Sequence, residues 1–118
     1  MASSLSTNGK NEILDSGASW PPAYVSLHSA DPGATGANEL TGGTPAYARK
    51  AATWSAAAAG AKALSNQPVF DVPAGSTVAF VGLWSAVTAG IYLGCWDVTD
   101  EVYGGQGTYT LTSGSVSL

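Results

Sequence analysis

Apolar and polar residues alternate with a period of two in several short runs along the chain, the spacing of half-buried strands. Ala23 to His28 places Ala23, Val25 and Leu27 on one face. Tyr47 to Trp54 predicts a second strand, with β-branched Thr53 and aromatic Trp54 near its end. Gln67 to Val72 predicts another, stopped by Pro73-Ala74-Gly75. Thr77 to Trp84 is apolar on both faces, as expected of a strand buried in the middle of a sandwich. Gly90 to Val98 is its expected partner, because only a short Ser/Ala/Thr linker separates the two runs. Asp97 to Gly107 reads as acidic and turn-rich, and Thr108 to Thr112 and Ser115 to Leu118 alternate again.

Helical signals are few. Between Thr7 and Leu14 there is room for about two turns, with Thr7 or Asn8 as N-cap and Gly17 as the stop. Ile13 and Leu14 would anchor that helix on the body. Trp20-Pro21-Pro22 predicts extended backbone, since proline restricts itself and its predecessor. Asp31-Pro32-Gly33 predicts a turn into a Gly-rich loop from Ala34 to Pro45. Ser55 to Leu64 is rich in alanine, but Gly60 interrupts it and no broad apolar stripe runs along it; it reads as a loop or short strand. The sum is about six to eight short strands with turns every ~8–12 residues. The expected fold is all-β, a single-domain antiparallel β-sandwich or small barrel with a short N-terminal helix. Residues 1–9 are expected to be a flexible arm and residues 10–118 one domain.

Composition narrows the function classes. The 118 residues suit one domain, and 45% hydrophobic residues supply a core without metals or disulfides. Only 10% are charged, against about 25% in an ordinary soluble protein. Such a surface suits dense packing against other protein more than life as a free monomer. The net charge is −4, and among four basic residues only Arg49 and Lys50 are adjacent. Phosphate recognition needs clustered cations, so nucleic acid is not an expected partner. The one cysteine, Cys95, allows no internal disulfide, and its apolar run Ile91 to Trp96 predicts a buried structural thiol. Met1-Ala2-Ser3-Ser4 does not open a signal peptide, and no apolar run approaches the ~18 residues of a membrane span.

Catalytic chemistry finds little support. His28, the single histidine, falls on the polar side of its strand and predicts a surface or strand-end side chain. Neither a nucleophile nor an orienting acid is nominated beside it. Asp97, Asp100 and Glu101 form one acidic group, and Asp31, Asn38 and Glu39 another, but neither matches a calcium-binding spacing. Both read as solvated turn residues. The loop Gly33 to Gly43 lacks the Gly-Lys-Ser/Thr ending of a phosphate-binding loop. No catalytic, cofactor-binding or metal-binding residue is expected, and no cofactor.

One stretch is distinctive: Tyr24-Val25-Ser26-Leu27-His28-Ser29-Ala30-Asp31-Pro32-Gly33-Ala34-Thr35-Gly36-Ala37-Asn38-Glu39-Leu40-Thr41-Gly42-Gly43, completed by Tyr47-Ala48-Arg49. It resembles a run in small phage and prophage proteins commonly described as tail fibre or minor tail proteins. Ala63-Leu64-Ser65-Asn66, Val81-Gly82-Leu83-Trp84 and Gly90-Ile91-Tyr92-Leu93-Gly94 fit the same pattern, while Cys95-Trp96-Asp97 and Glu101-Val102-Tyr103 depart from it. The resemblance implies a tailed-bacteriophage virion component, made in the host bacterial cytoplasm, that packs against other virion proteins. Asp31, Pro32, Gly33, Gly36, Asn38, Glu39, Arg49 and Trp20 are the candidate partner-contact residues. A capsid decoration protein of the phage head is the alternative. A carbohydrate-binding module is a further one, stacking a host-surface glycan on Trp20, Trp54, Trp84 or Trp96. Homo-oligomers of cyclic symmetry are expected, with residues 1–7 ordering on a neighbour.

Overall fold

The computed structural model describes residues 13–15 and 20–117. Among them run β1 (Tyr24–His28), β2 (Lys50–Ala51), β3 (Ala61–Ala63), β4 (Val69–Val72), β5 (Ser76–Trp84), β6 (Tyr92–Tyr103), β7 (Gly107–Thr110) and β8 (Ser115–Ser117). A four-stranded sheet has the order β2-β1-β5-β6, and β3-β8 and β4-β7 form two-stranded sheets. Every pairing is antiparallel, and the result is a single sandwich-like β-domain.

Strand β5 is central because both of its edges are occupied, by β1 along Tyr24–His28 and by β6 along most of its length. Its two faces are covered separately: Val81 and Leu83 enter the core, while Gly82 and Trp84 lie against Ser26, His28 and Gly36. Val78 and Val81 are fully buried and join Val25 and Leu27 of β1, Phe70 and Val72 of β4, Leu111 and Val116 in one core. Each such side chain contributes about 1.5–3 kcal/mol through burial. Leu14 belongs to the same core, and Ile13, Leu14 and Asp15 are helical. The rest of the expected N-terminal helix and the expected arm at residues 1–9 lie outside the described residues, as does Leu118.

Four expectations are corrected. The strand expected from Tyr47 to Trp54 shrinks to Lys50–Ala51, because the edge of β1 it would need is already taken. The Leu40 amide donates to the Leu27 carbonyl and the Ser29 amide to the Asn38 carbonyl, so the Gly-rich loop claims that edge. The acidic segment expected to be turn-rich from Asp97 is strand as far as Tyr103. It stays paired through a bulge: Val78 opposes Glu101 and Phe80 opposes Asp97, leaving Val98, Thr99 and Asp100 across from Ala79 alone. His28 is fully buried rather than at the surface, because the loop closes over its face of β1. Cys95 is half-buried rather than enclosed, since it lines an open cavity beside β8.

Candidate functional site

The Tyr24–Gly43 stretch and Tyr47–Arg49 converge on one polar cluster between β1 and the loop that follows it. The loop is turned by Asp31, whose carboxylate accepts the Gly33 amide at 2.8 Å, a side-chain mimic of a backbone turn. Pro32 then accepts the Gly36 and Ala37 amides, at 3.0 and 2.9 Å. Asn38 sits at φ 66° and sends its side-chain amide back to the Asp31 carbonyl at 3.1 Å. The chain is thereby returned alongside β1, where Glu39 bridges His28.

Glu39 is the hub. Its two carboxylate oxygens accept Arg49 Nη2 and Nε, each at 2.9 Å, a bidentate pair. The Tyr47 hydroxyl donates to the same carboxylate at 2.8 Å while accepting the Leu27 amide at 2.9 Å. Tyr47 thus fastens the Glu39 side chain to the backbone of β1. Arg49 is nearly buried, with 8% of its side chain exposed, against 21% for Glu39. Its Nη1 donates to the carbonyls of Ala86 (3.1 Å) and Ala89 (2.8 Å), in the loop after β5. Its guanidinium lies 3.6 Å from the centre of the Trp84 ring. One cation therefore ties the Gly-rich loop, the β5–β6 loop and the end of β5 together.

A second chain of hydrogen bonds runs beneath it. The Trp84 indole N–H donates to Ser26 Oγ at 2.8 Å, and Ser26 Oγ lies 2.6 Å from His28 Nε2. His28 Nδ1 lies 2.7 Å from the Ala37 carbonyl. A carbonyl accepts only, so Nδ1 carries the proton, Nε2 of the neutral ring accepts, and the Ser26 hydroxyl donates to it. Every polar atom of the relay is satisfied in one direction, from Trp84 to Ala37. The relay dictates its neighbours. Gly82 stands opposite Ser26 in the β1–β5 register, and a Cβ there would fall 2.5 Å from His28 Nε2. Gly36, at φ 79°, brings its backbone so close that a Cβ would meet Trp84 Cζ2 at 2.5 Å.

Burial and partners set the electrostatics. Burial holds His28 below the ordinary histidine range, against the opposing pull of the Ala37 carbonyl and the Glu39 charge. Burial alone would raise Glu39; the hydrogen bonds from Arg49 and Tyr47 outweigh it and hold the carboxyl below its usual range. Burial raises Tyr47 well above the ordinary phenol, so it stays a neutral donor. Beside this cluster opens a groove of about 330 Å³ whose lining includes Leu40, Tyr47, Arg49, Val87 and Thr88.

Of the residues expected from sequence, Asp31, Pro32, Gly33, Gly36, Asn38, Glu39 and Arg49 are brought into this one assembly. Trp20 is not among them. It lines a separate cavity of about 260 Å³ with Leu93, Cys95, Trp96 and Val116. There Trp96 donates to the Ser115 carbonyl at 2.5 Å and tilts against Trp54, ring centres 6.1 Å apart. Trp54 in turn donates to the Pro22 carbonyl at 2.7 Å. Ser26, Tyr47, Gly82 and Trp84 join the cluster although none was among the candidate partner-contact residues. The cross-strand pairing of Ser26 with Gly82 is what sets Gly82 against Ser26 and His28, and no spacing within one strand encodes it.

Within the cluster, His28, Glu39, Tyr47 and Arg49 are each engaged by fixed internal partners, and among the described residues no three His, Cys, Asp or Glu converge to hold a metal ion. No helix among the described residues is long and apolar enough to cross a membrane. A search of curated proteins finds no match. A family model described as podophage GP4 fiber I protein gp80 matches residues 3–118, almost the full length, and the chain belongs to that family of phage fibre proteins.

Proposed function

We propose that the protein is a non-enzymatic structural subunit of a phage tail fibre that acts by packing against other virion proteins. The family match over residues 3–118 carries this reading. The polar cluster supports it, because Glu39, Arg49, Tyr47 and His28 spend their hydrogen-bonding capacity on fixing the loop from Asp31 to Gly43. What the loop then offers outward is a rigid surface, with Asp31, Gly33 and Asn38 exposed on it. A preformed surface loses little conformational freedom on docking, which favours stable assembly. Asp31, Pro32, Gly33, Gly36, Asn38, Glu39 and Arg49 form or support that contact surface in our reading; Trp20 belongs to a different face.

The indoles argue against a glycan platform. Trp84 is only 8% exposed with Arg49 over its ring, and Trp54 and Trp96 tilt against each other, ring centres 6.1 Å apart, instead of lying side by side as one flat surface. The deciding experiment labels a tagged copy of the protein on purified particles and images them by electron microscopy. Label on the tail fibres is expected. Label on the head shell would replace the reading with a capsid decoration role, and absence from particles would end both.

A further inference from the structure

The two edges of the four-stranded sheet differ in charge and in how completely they are closed. At one edge, β6 is the longest strand of the protein, 12 residues, and its outer side is paired to no other strand among those described. It carries Asp97, Asp100 and Glu101, all exposed and none in an ion pair among the described residues. Val102 on the same strand is 77% exposed and Ile91, immediately before it, 58%. An unpaired strand edge with exposed apolar residues is a template for association, and it is ordinarily protected unless used.

At the opposite edge, β2 carries Lys50. Arg49 is consumed by Glu39 and Lys62 by Asp15, so Lys50 is the one lysine or arginine among the described residues outside an ion pair. Lys50 is half-buried and the exposed Ala51 after it has its carbonyl taken by the Asn66 side-chain amide at 3.0 Å, so a neighbour meets this edge through side chains and not by extending the sheet. The acidic edge and the basic edge lie on opposite sides of one sheet, about 14 Å apart across four strands.

We infer that the β6 edge of one copy packs against the β2 edge of the next. The occupant is a second copy because the chain carries both complementary halves. Charge also selects the geometry. A symmetric β6-to-β6 contact would set two acidic strands against each other, and like charges placed opposite one another are unfavourable. A head-to-tail contact instead pairs the acids with Lys50. Such heterologous contacts close into rings or run on as filaments. The inference deepens the fibre-subunit reading, and its test is separate from particle labelling: a failure here removes the edge contact and leaves the location on the particle untouched.

The test is sedimentation velocity on the full chain at low and high ionic strength. Wild type is expected to associate at low salt and to dissociate as salt screens the contact. Lys50→Glu should weaken association about tenfold or more, with an unchanged circular dichroism spectrum. Adding Asp97→Lys and Asp100→Lys in the Lys50→Glu background should restore it. A wild-type monomer at every concentration at low salt would overturn the inference. So would Lys50→Glu associating like wild type, or the charge-swapped variant remaining monomeric.

Discussion

The Arg49 guanidinium lies 3.6 Å from the centre of the Trp84 ring, and Trp84 directs its indole N–H to Ser26 on the neighbouring strand. The pair joins the salt bridge to Glu39 above with the histidine relay below. The loop after β1 is thereby held by two networks that share one aromatic side chain.

Arg49 is engaged through geometry that lysine lacks: a planar fork for Glu39 and a flat cation for Trp84. Arg49→Lys should lower stability, and Arg49→Ala should cost about 3–5 kcal/mol, because it leaves Glu39 partly buried without its cation. Urea denaturation of the two variants checks the order. A double-mutant cycle with Glu39→Gln should give a coupling of about 1–3 kcal/mol between the two residues.

Gly82 and Gly36 are required by close approach. Gly82→Ala should cost about 1–3 kcal/mol as the new methyl group displaces the His28 ring. Gly36→Ala adds a positive φ to a clash with Trp84 and should be at least as costly. Thermal melts rank them, and Gly33→Ala is the control: it shares the positive φ, but no atom lies within 4 Å of its added Cβ.

Acid should loosen the protein in two stages. His28 is held neutral in the fold, below its free value of 6.5, so the unfolded chain takes up a proton first as pH falls. Stability is full above pH 6.5 and declines below it, by at most about 1.4 kcal/mol per pH unit for this one group, until the folded-state value is reached. Glu39 is shifted down from 4.5, so its contribution is present above that pH and is lost as pH falls through its lower folded value. The groups facing His28 are Glu39 and Arg49, which act on it in opposite directions. His28→Gln should abolish the first decline and leave the second, as read from denaturation midpoints between pH 7 and pH 3.

Lys62 is 6% exposed and its ammonium is paired with the half-exposed Asp15 carboxylate, which also accepts the Ala57 amide. Asp15→Ala should therefore destabilise more than Lys62→Met, since the first strands a buried charge and the second replaces it with apolar volume. The difference in melting temperature between the two variants is the measurement.

Much of this protein is legible without coordinates. Period-two alternation and the doubly apolar run of β5 specify an all-β domain with β5 at its centre, because a strand with two covered faces has no polar side to offer. The Asp31-Pro32-Gly33 turn follows from local chemistry alone. Tertiary structure decided the rest. His28 alternates as a surface residue, yet the loop folds back and buries it, because whether a strand face meets water depends on what packs over it. The strand expected at Tyr47–Trp54 is cut short for a similar reason: the edge of β1 can be bonded only once, and Asn38–Leu40 occupy its Leu27–Ser29 end. Glu39 and Arg49 are ten residues apart and both were candidates from sequence. They pair directly, but the connection of Arg49 through Trp84 to Ser26, and the room that Gly82 leaves beside His28, depend on the register between β1 and β5, a long-range relation that no local pattern carries.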